Sequence, residues 1–109
     1  MKLLTKEIEK KLTDRNALIA QRHRAGDWEY SDDKVIVKYF NPVGRGTWYV
    51  MNGEKQSDGD WIFFGLVDLF EREWGYFSLN ELESVELPFG LKIERDMHYS
   101  GTYQDLKEG

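Results

Sequence analysis

Cysteine is absent from the 109 residues. That excludes a disulfide framework, a thiolate zinc site and a cysteine nucleophile, and it fits a reducing compartment. Histidine is scarce: His23 and His98 stand 75 positions apart, and neither has an orienting partner nearby in sequence. None of the five serines sits in a Gly-x-Ser-x-Gly turn, so no nucleophilic apparatus is legible. Gly44-Arg45-Gly46 lacks the third glycine and the Lys-Ser/Thr ending of a phosphate loop, and a strand follows it. It reads as a hairpin turn with Arg45 exposed at its tip, and no cofactor is expected. No segment approaches the roughly 18 apolar residues of a membrane span, and Met1 to Glu7 lack the apolar run of a signal peptide. The expectation is a cytoplasmic protein with no membrane partner.

What is present is charge and aromatic surface. Residues 1–26 hold seven Lys/Arg against three Asp/Glu, a net +4; residues 27–109 hold eight against seventeen, a net −9. A basic beginning therefore precedes an acidic body, which repels phosphate backbones and attracts a basic protein surface. Sixteen aromatic residues, four Trp, six Tyr and six Phe, give a chain of this length ample surface to bury in one domain. With no repeat or low-complexity tract, residues 1–109 read as one unit.

An α+β fold is expected, with an N-terminal amphipathic helix, a mainly antiparallel twisted sheet of about five strands, and one short capped helix before the last strand. Thr5 caps a helix over 5–24, whose stripe is Leu4, Ile8, Leu12, Leu18 and Ile19, with Lys11 and Arg15 projecting onto it. Thr13-Asp14 is a candidate break, and Gly26 a helix exit. The polar stretch Asp27 to Lys34 leads to strand-like runs at 35–40 and 47–51, joined by the Gly44-Arg45-Gly46 turn. Asn52-Gly53 through Asp60 reads as a longer polar turn. Residues 61–67 are apolar at every position, as in a strand covered on both faces. Asp68 to Glu73 is a turn, 74–77 a fourth strand, and Ser78-Leu79-Asn80-Glu81 a capping box opening a helix over 79–85. Leu91 to Tyr99 alternates, placing Leu91, Ile93, Met97 and Tyr99 inward and Lys92, Glu94, Asp96 and His98 outward. Residues 101–109 are polar and expected to fray.

Two groups of residues carry candidate chemistry. Asp68, Glu71 and Glu73 crowd one predicted turn, and with Arg45, Trp48 and Tyr49 they form a candidate acidic and aromatic binding surface. Tyr39, Trp48 and Phe63 point to one sheet face and Phe40, Tyr49 and Phe64 to the other, so a second copy of the chain is a further candidate to cover the face the helices leave. Glu94, Asp96 and His98 share a strand face and have the ligand types for a divalent ion, but their roots are about 7 Å apart, so a neighbouring strand must add a ligand.

The segments Val37-Lys38-Tyr39-Phe40-Asn41-Pro42, Gly46-Thr47-Trp48-Tyr49, Phe64-Gly65-Leu66-Val67-Asp68, Gly75 to Leu82 and Ile93 to Tyr99 resemble the bacterial proteins catalogued as domain of unknown function 2958. The likeness runs from Leu3 nearly to the end. It implies no activity; it implies a setting, since such proteins are frequently encoded on plasmids, phages and other mobile elements. The favoured expectation is a non-enzymatic interaction protein that binds a basic protein surface, with counter-defence against a host nucleic-acid-binding protein as its specific form. The competing readings are a small metal-dependent enzyme acting on nucleic acid or nucleotides through Glu94, Asp96 and His98, with Glu71 or Glu73 as a further candidate, and a DNA-binding accessory factor using Lys2, Lys6, Lys10, Lys11, Arg15, Arg22 and Arg24. Nucleic acid is otherwise a disfavoured partner.

Overall fold

Thr5 opens helix α1 (Lys6–Arg24) by accepting a hydrogen bond from the Ile8 amide at 3.2 Å. Glu7 and Glu9 in the first turn and Arg22, His23 and Arg24 in the last match the signs of the helix dipole. Thr13 does not break the helix; its hydroxyl donates to the Glu9 carbonyl at 3.0 Å, one turn back. At the exit, the Asp27 amide reaches the Arg22 carbonyl at 2.8 Å and the Gly26 amide reaches His23 at 3.2 Å. Gly26, at φ 72°, supplies the left-handed residue this paired closure needs. The computed structural model describes residues 1–109. No helix is long and apolar enough to cross a membrane.

The fold is α+β. Strands β1 (Val37–Phe40), β2 (Thr47–Lys55), β3 (Trp61–Asp68) and β4 (Arg72–Ser78) follow one another as an antiparallel meander. Helix α2 (Leu79–Ser84) and a short 3-10 turn at Pro88–Gly90 then carry the chain back, placing β5 (Glu94–Asp96) beside β1 in the order β4-β3-β2-β1-β5. Helix α1 and the returning segment fill one face. Leu12, Tyr39, Val50 and Phe63 are wholly buried there, ringed by Ile8, Trp61, Phe77, Leu82 and Ile93. The Tyr39 hydroxyl donates to the Leu3 carbonyl at 2.7 Å, and burial pushes its pKa well up.

Three expectations are corrected on this frame. Asn52-Gly53 is strand, not turn: β2 runs on to Lys55, with a bulge between Val50 and Asn52. Because β1 pairs no further than Val50, the rest of that edge of β2 is open, and α1 closes it. Arg15 donates to the Met51 carbonyl at 2.6 Å and Asn16 to Gly53 at 2.7 Å. The strand expected over 91–99 is only Glu94–Asp96; Ile93 is buried as predicted, but Met97 is 66% exposed. Finally, the tail does not fray. Residues Tyr103–Glu108 form helix α3, opened by a reciprocal cap between Thr102 and Asp105. Its Leu106 buries Met51 and Leu66 on the second sheet face. Backbone bonds from Val35 to Gly101 and from Tyr103 to Asp33, both 2.8 Å, pin it to the loop before β1.

Only half of the capping box at Ser78 forms. The buried serine hydroxyl accepts from the Glu81 amide at 3.0 Å, while Glu81 is exposed and makes no return bond. Ser78→Ala is therefore expected to cost about 1 kcal/mol and Glu81→Ala far less. Equal shifts of the two denaturation midpoints would remove the cap as the cause.

Candidate functional site

The residues foreseen as one acidic turn are divided by the structure. Asp68 is the last residue of β3 and pairs with Arg72 at 3.1 Å; Glu71 lies in the connection; Glu73 is on β4. Two arginines lace this end of the sheet. Arg45 donates to the Leu69 carbonyl, and Arg72 also donates to Leu106 at 2.8 Å. Glu71 and Glu73 remain exposed, and Asp68 is half-buried and paired. Trp48 and Tyr49, adjacent in β2, point to opposite faces. Trp48 packs against the α1 core, whereas Tyr49 meets Tyr99 at 5.4 Å on the other side, so the two cannot share one surface.

Glu94 and Asp96 project from β5 to the second face, but they do not converge with His98. Asp96 lies opposite Lys38, 3.7 Å away, and accepts from the His98 amide at 2.9 Å. That amide and the lysine hold its carboxyl below the usual range. The His98 ring is exposed, and nowhere do three His, Asp or Glu side chains gather as a ligand set. The basic helix is also less available than its composition suggests. Lys10 pairs with Asp14 and Lys11 with Glu7, while Arg15 and Arg22 turn inward.

Two features stand out that the sequence did not single out as sites. The first is an aromatic strip on the second face. Phe64 on β3 stacks on Trp74 of β4 at 6.1 Å and meets Tyr76 at 5.2 Å, and Trp74 meets Tyr103 of α3 at 5.0 Å. Tyr76 is 77% exposed, and the loop beyond Asp68 lifts Phe70 to 88% exposure. This strip lies along an edge strand whose outer side no other strand pairs; Glu71 is exposed in the loop before that strand, and Glu73 projects from it to the opposite face. The signal was the period-two pattern of Trp74 and Tyr76, residues read only as strand formers.

The second feature is a cavity of about 300 Å³ where α1 passes the open end of β2. Arg15, Ile19 and His23 reach it at four-residue spacing from α1, and Tyr30 and Asp33 from the following loop. Asp33, 8% exposed, accepts both guanidinium nitrogens of Arg22 at 2.6 and 2.8 Å, with Arg15 Nε 4.0 Å away. This pairing raises the Arg22 pKa, while burial lowers that of Arg15. At the rim, His23 Nε2 and the Tyr30 hydroxyl are 2.8 Å apart, and the Trp28 ring stacks on His23 at 4.2 Å. The one sequence signal was Arg15, a charge placed on an apolar stripe.

The family described as "Protein of unknown function (DUF2958)" matches residues 3–106. The chain belongs to that family. The DUF2958 match begins at Leu3, whose carbonyl receives the buried Tyr39 hydroxyl, and ends at Leu106, which closes the second face. It therefore takes in both layers of the fold, α3 included. No curated protein and no solved structure matches the chain.

Proposed function

We propose that this DUF2958 protein is a protein-interaction module whose docking surface is the aromatic strip of β3 and β4 together with the loop after Asp68. One observation carries the reading: Trp74 and Tyr76 expose their rings on the second face of the edge strand, Phe70 and Glu71 are exposed in the loop that precedes it, and Glu73 is exposed from the strand's opposite face, so large rings meet a carboxylate-bearing edge. Exposed aromatic residues that cluster are the usual anchors of interfaces, and an acidic rim selects a basic partner and speeds its approach. In the mobile-element setting that the resemblance implies, a counter-defence role fits this chemistry, with the rim engaging the basic groove of a host nucleic-acid-binding protein.

The test uses two variants of the full chain, captured from host lysate by crosslinking and mass spectrometry. Phe70→Ser with Tyr76→Ser removes the anchors and is expected to weaken capture of a specific partner by roughly 30-fold or more. Glu71→Lys with Glu73→Lys leaves the Asp68–Arg72 pair intact and is expected to weaken capture mainly below about 0.1 M salt. A partner held equally by the wild type and both variants would place the interface elsewhere. If the self-association of the wild type disappears with the serine variant, the partner is a second copy.

A further inference from the structure

We infer that the cavity between α1, the loop after it and α3 binds a small planar heteroaromatic ligand of the nucleobase type. The cavity shares Phe64 and Tyr103 with the aromatic strip but uses neither Phe70, Trp74, Tyr76 nor the acidic edge.

Size comes first. At about 300 Å³ the cavity lies at the lower end of ligand sites, which suits one ring system with a small substituent. Its lining then selects the shape. Phe64, Tyr103, Tyr30 and His23 are among the lining residues, and Ile19 and Met51 add apolar surface, a composition that suits a flat ring.

The polar groups select the chemistry, because most are already engaged. Arg15 donates its terminal nitrogens to the carbonyls of Met51 and Lys34, at 2.6 and 2.8 Å, and both Asp33 oxygens are held by Arg22. These groups are fixed and cannot swing onto a charged ligand. Asn52 differs: it lines this cavity and a neighbouring one beside Tyr76, and its carboxamide makes no hydrogen bond to the protein. A carboxamide sets a donor beside an acceptor, the complement of the edge that a purine or pyrimidine offers. The Tyr103 hydroxyl is likewise free to bond. Two guanidinium groups against one carboxylate leave a formal positive charge behind the cavity, which disfavours cationic rings and admits neutral or anionic ones.

The same base could arrive as a free nucleoside or nucleotide, or as an unpaired base of a single strand. Titrations of the full chain, followed by calorimetry and by NMR of the side-chain amides, should therefore use the four ribonucleosides, their monophosphates and a short mixed single-stranded oligonucleotide. At least one probe is expected to bind with a Kd on the order of 0.1–1 mM and to shift the Asn52 amide signal. Asn52→Ala should weaken it about tenfold or more, and Asn52→Asp, which keeps the volume but removes the donor, should do the same or change which base is preferred. Phe89→Ser, at an exposed side chain that does not line the cavity, should leave it unchanged. Binding of the monomers assigns a nucleoside or nucleotide; Asn52-dependent binding of the oligonucleotide alone assigns an unpaired base. Failure of every probe up to about 10 mM, or binding unaffected by both Asn52 variants in folded protein, overturns the inference.

Discussion

Gly65→Ala is expected to destabilise the protein by about 3–5 kcal/mol, a large part of the stability of an ordinary domain. Gly65 lies in β3 opposite Val50 on one side and Gly75 on the other. A methyl group there would collide with the Tyr49 carbonyl oxygen and stand 3.2 Å from the Val50 Cα. The obstruction is backbone, so no rotamer change relieves it. Strand β2 cannot retreat either, because Val50 is wholly buried and its carbonyl holds the Ile36 amide at 2.9 Å. Gly75 in the same cross-strand pair is the control, since a methyl group there meets nothing within 4 Å. Gly75→Ala should shift the urea midpoint little in either direction. Equal losses at the two glycines would mean that strand propensity, not close approach, sets the cost.

Asp33→Asn is expected to cost about 3–5 kcal/mol although it changes neither shape nor volume. It leaves the Arg15 and Arg22 guanidinium groups close together, largely buried and without their common counter-charge. A buried pair adds little net stability over an apolar replacement, but breaking it strands a charge. Asp33→Leu combined with Arg22→Met should therefore be less damaging than Asp33→Asn alone. A double-mutant cycle by chemical denaturation reads this directly, and strict additivity of the Asp33 and Arg22 changes would show that the pair is not coupled.

Periodicity made the faces of the sheet legible. Tyr39, Trp48 and Phe63 do share the α1 face, as their alternation indicates, and the apolar run at 61–67 is a strand paired on both sides. Partner length was not legible. The alternation of Leu91 to Tyr99 continues past Asp96, but β1 offers only Lys38 to Phe40 to pair with, and Asp96 turns the chain away through the His98 amide. Asn52-Gly53 misleads for a different reason. A Cβ on Gly53 would stand 2.7 Å from the Phe63 ring, so this glycine answers to packing and not to a turn. Helix α3 buries one leucine in six residues, too little for an apolar stripe, although Thr102-x-x-Asp105 is a start signal in its own right. The cavity left almost no trace, because Asp33, Asn52 and Tyr103 meet only through tertiary docking.

The return of the chain from one sheet edge to the other has a consequence for the order of folding. Strands β1 to β4 close short loops between sequence neighbours, whereas β5 must find β1, with Arg95 opposite Tyr39, and Tyr103 must find Asp33. Closing such long loops costs more chain entropy and slows the step, so the meander is the natural nucleus and the segment after the Pro88–Gly90 turn the last to dock. That last segment supplies Tyr103 to the cavity, Leu106 to the second face and the bonds that hold the Asp33 loop. During synthesis the nascent chain can therefore form most of its sheet well before the cavity is complete, since Tyr103 at the start of the final helix is the last of its lining residues to emerge.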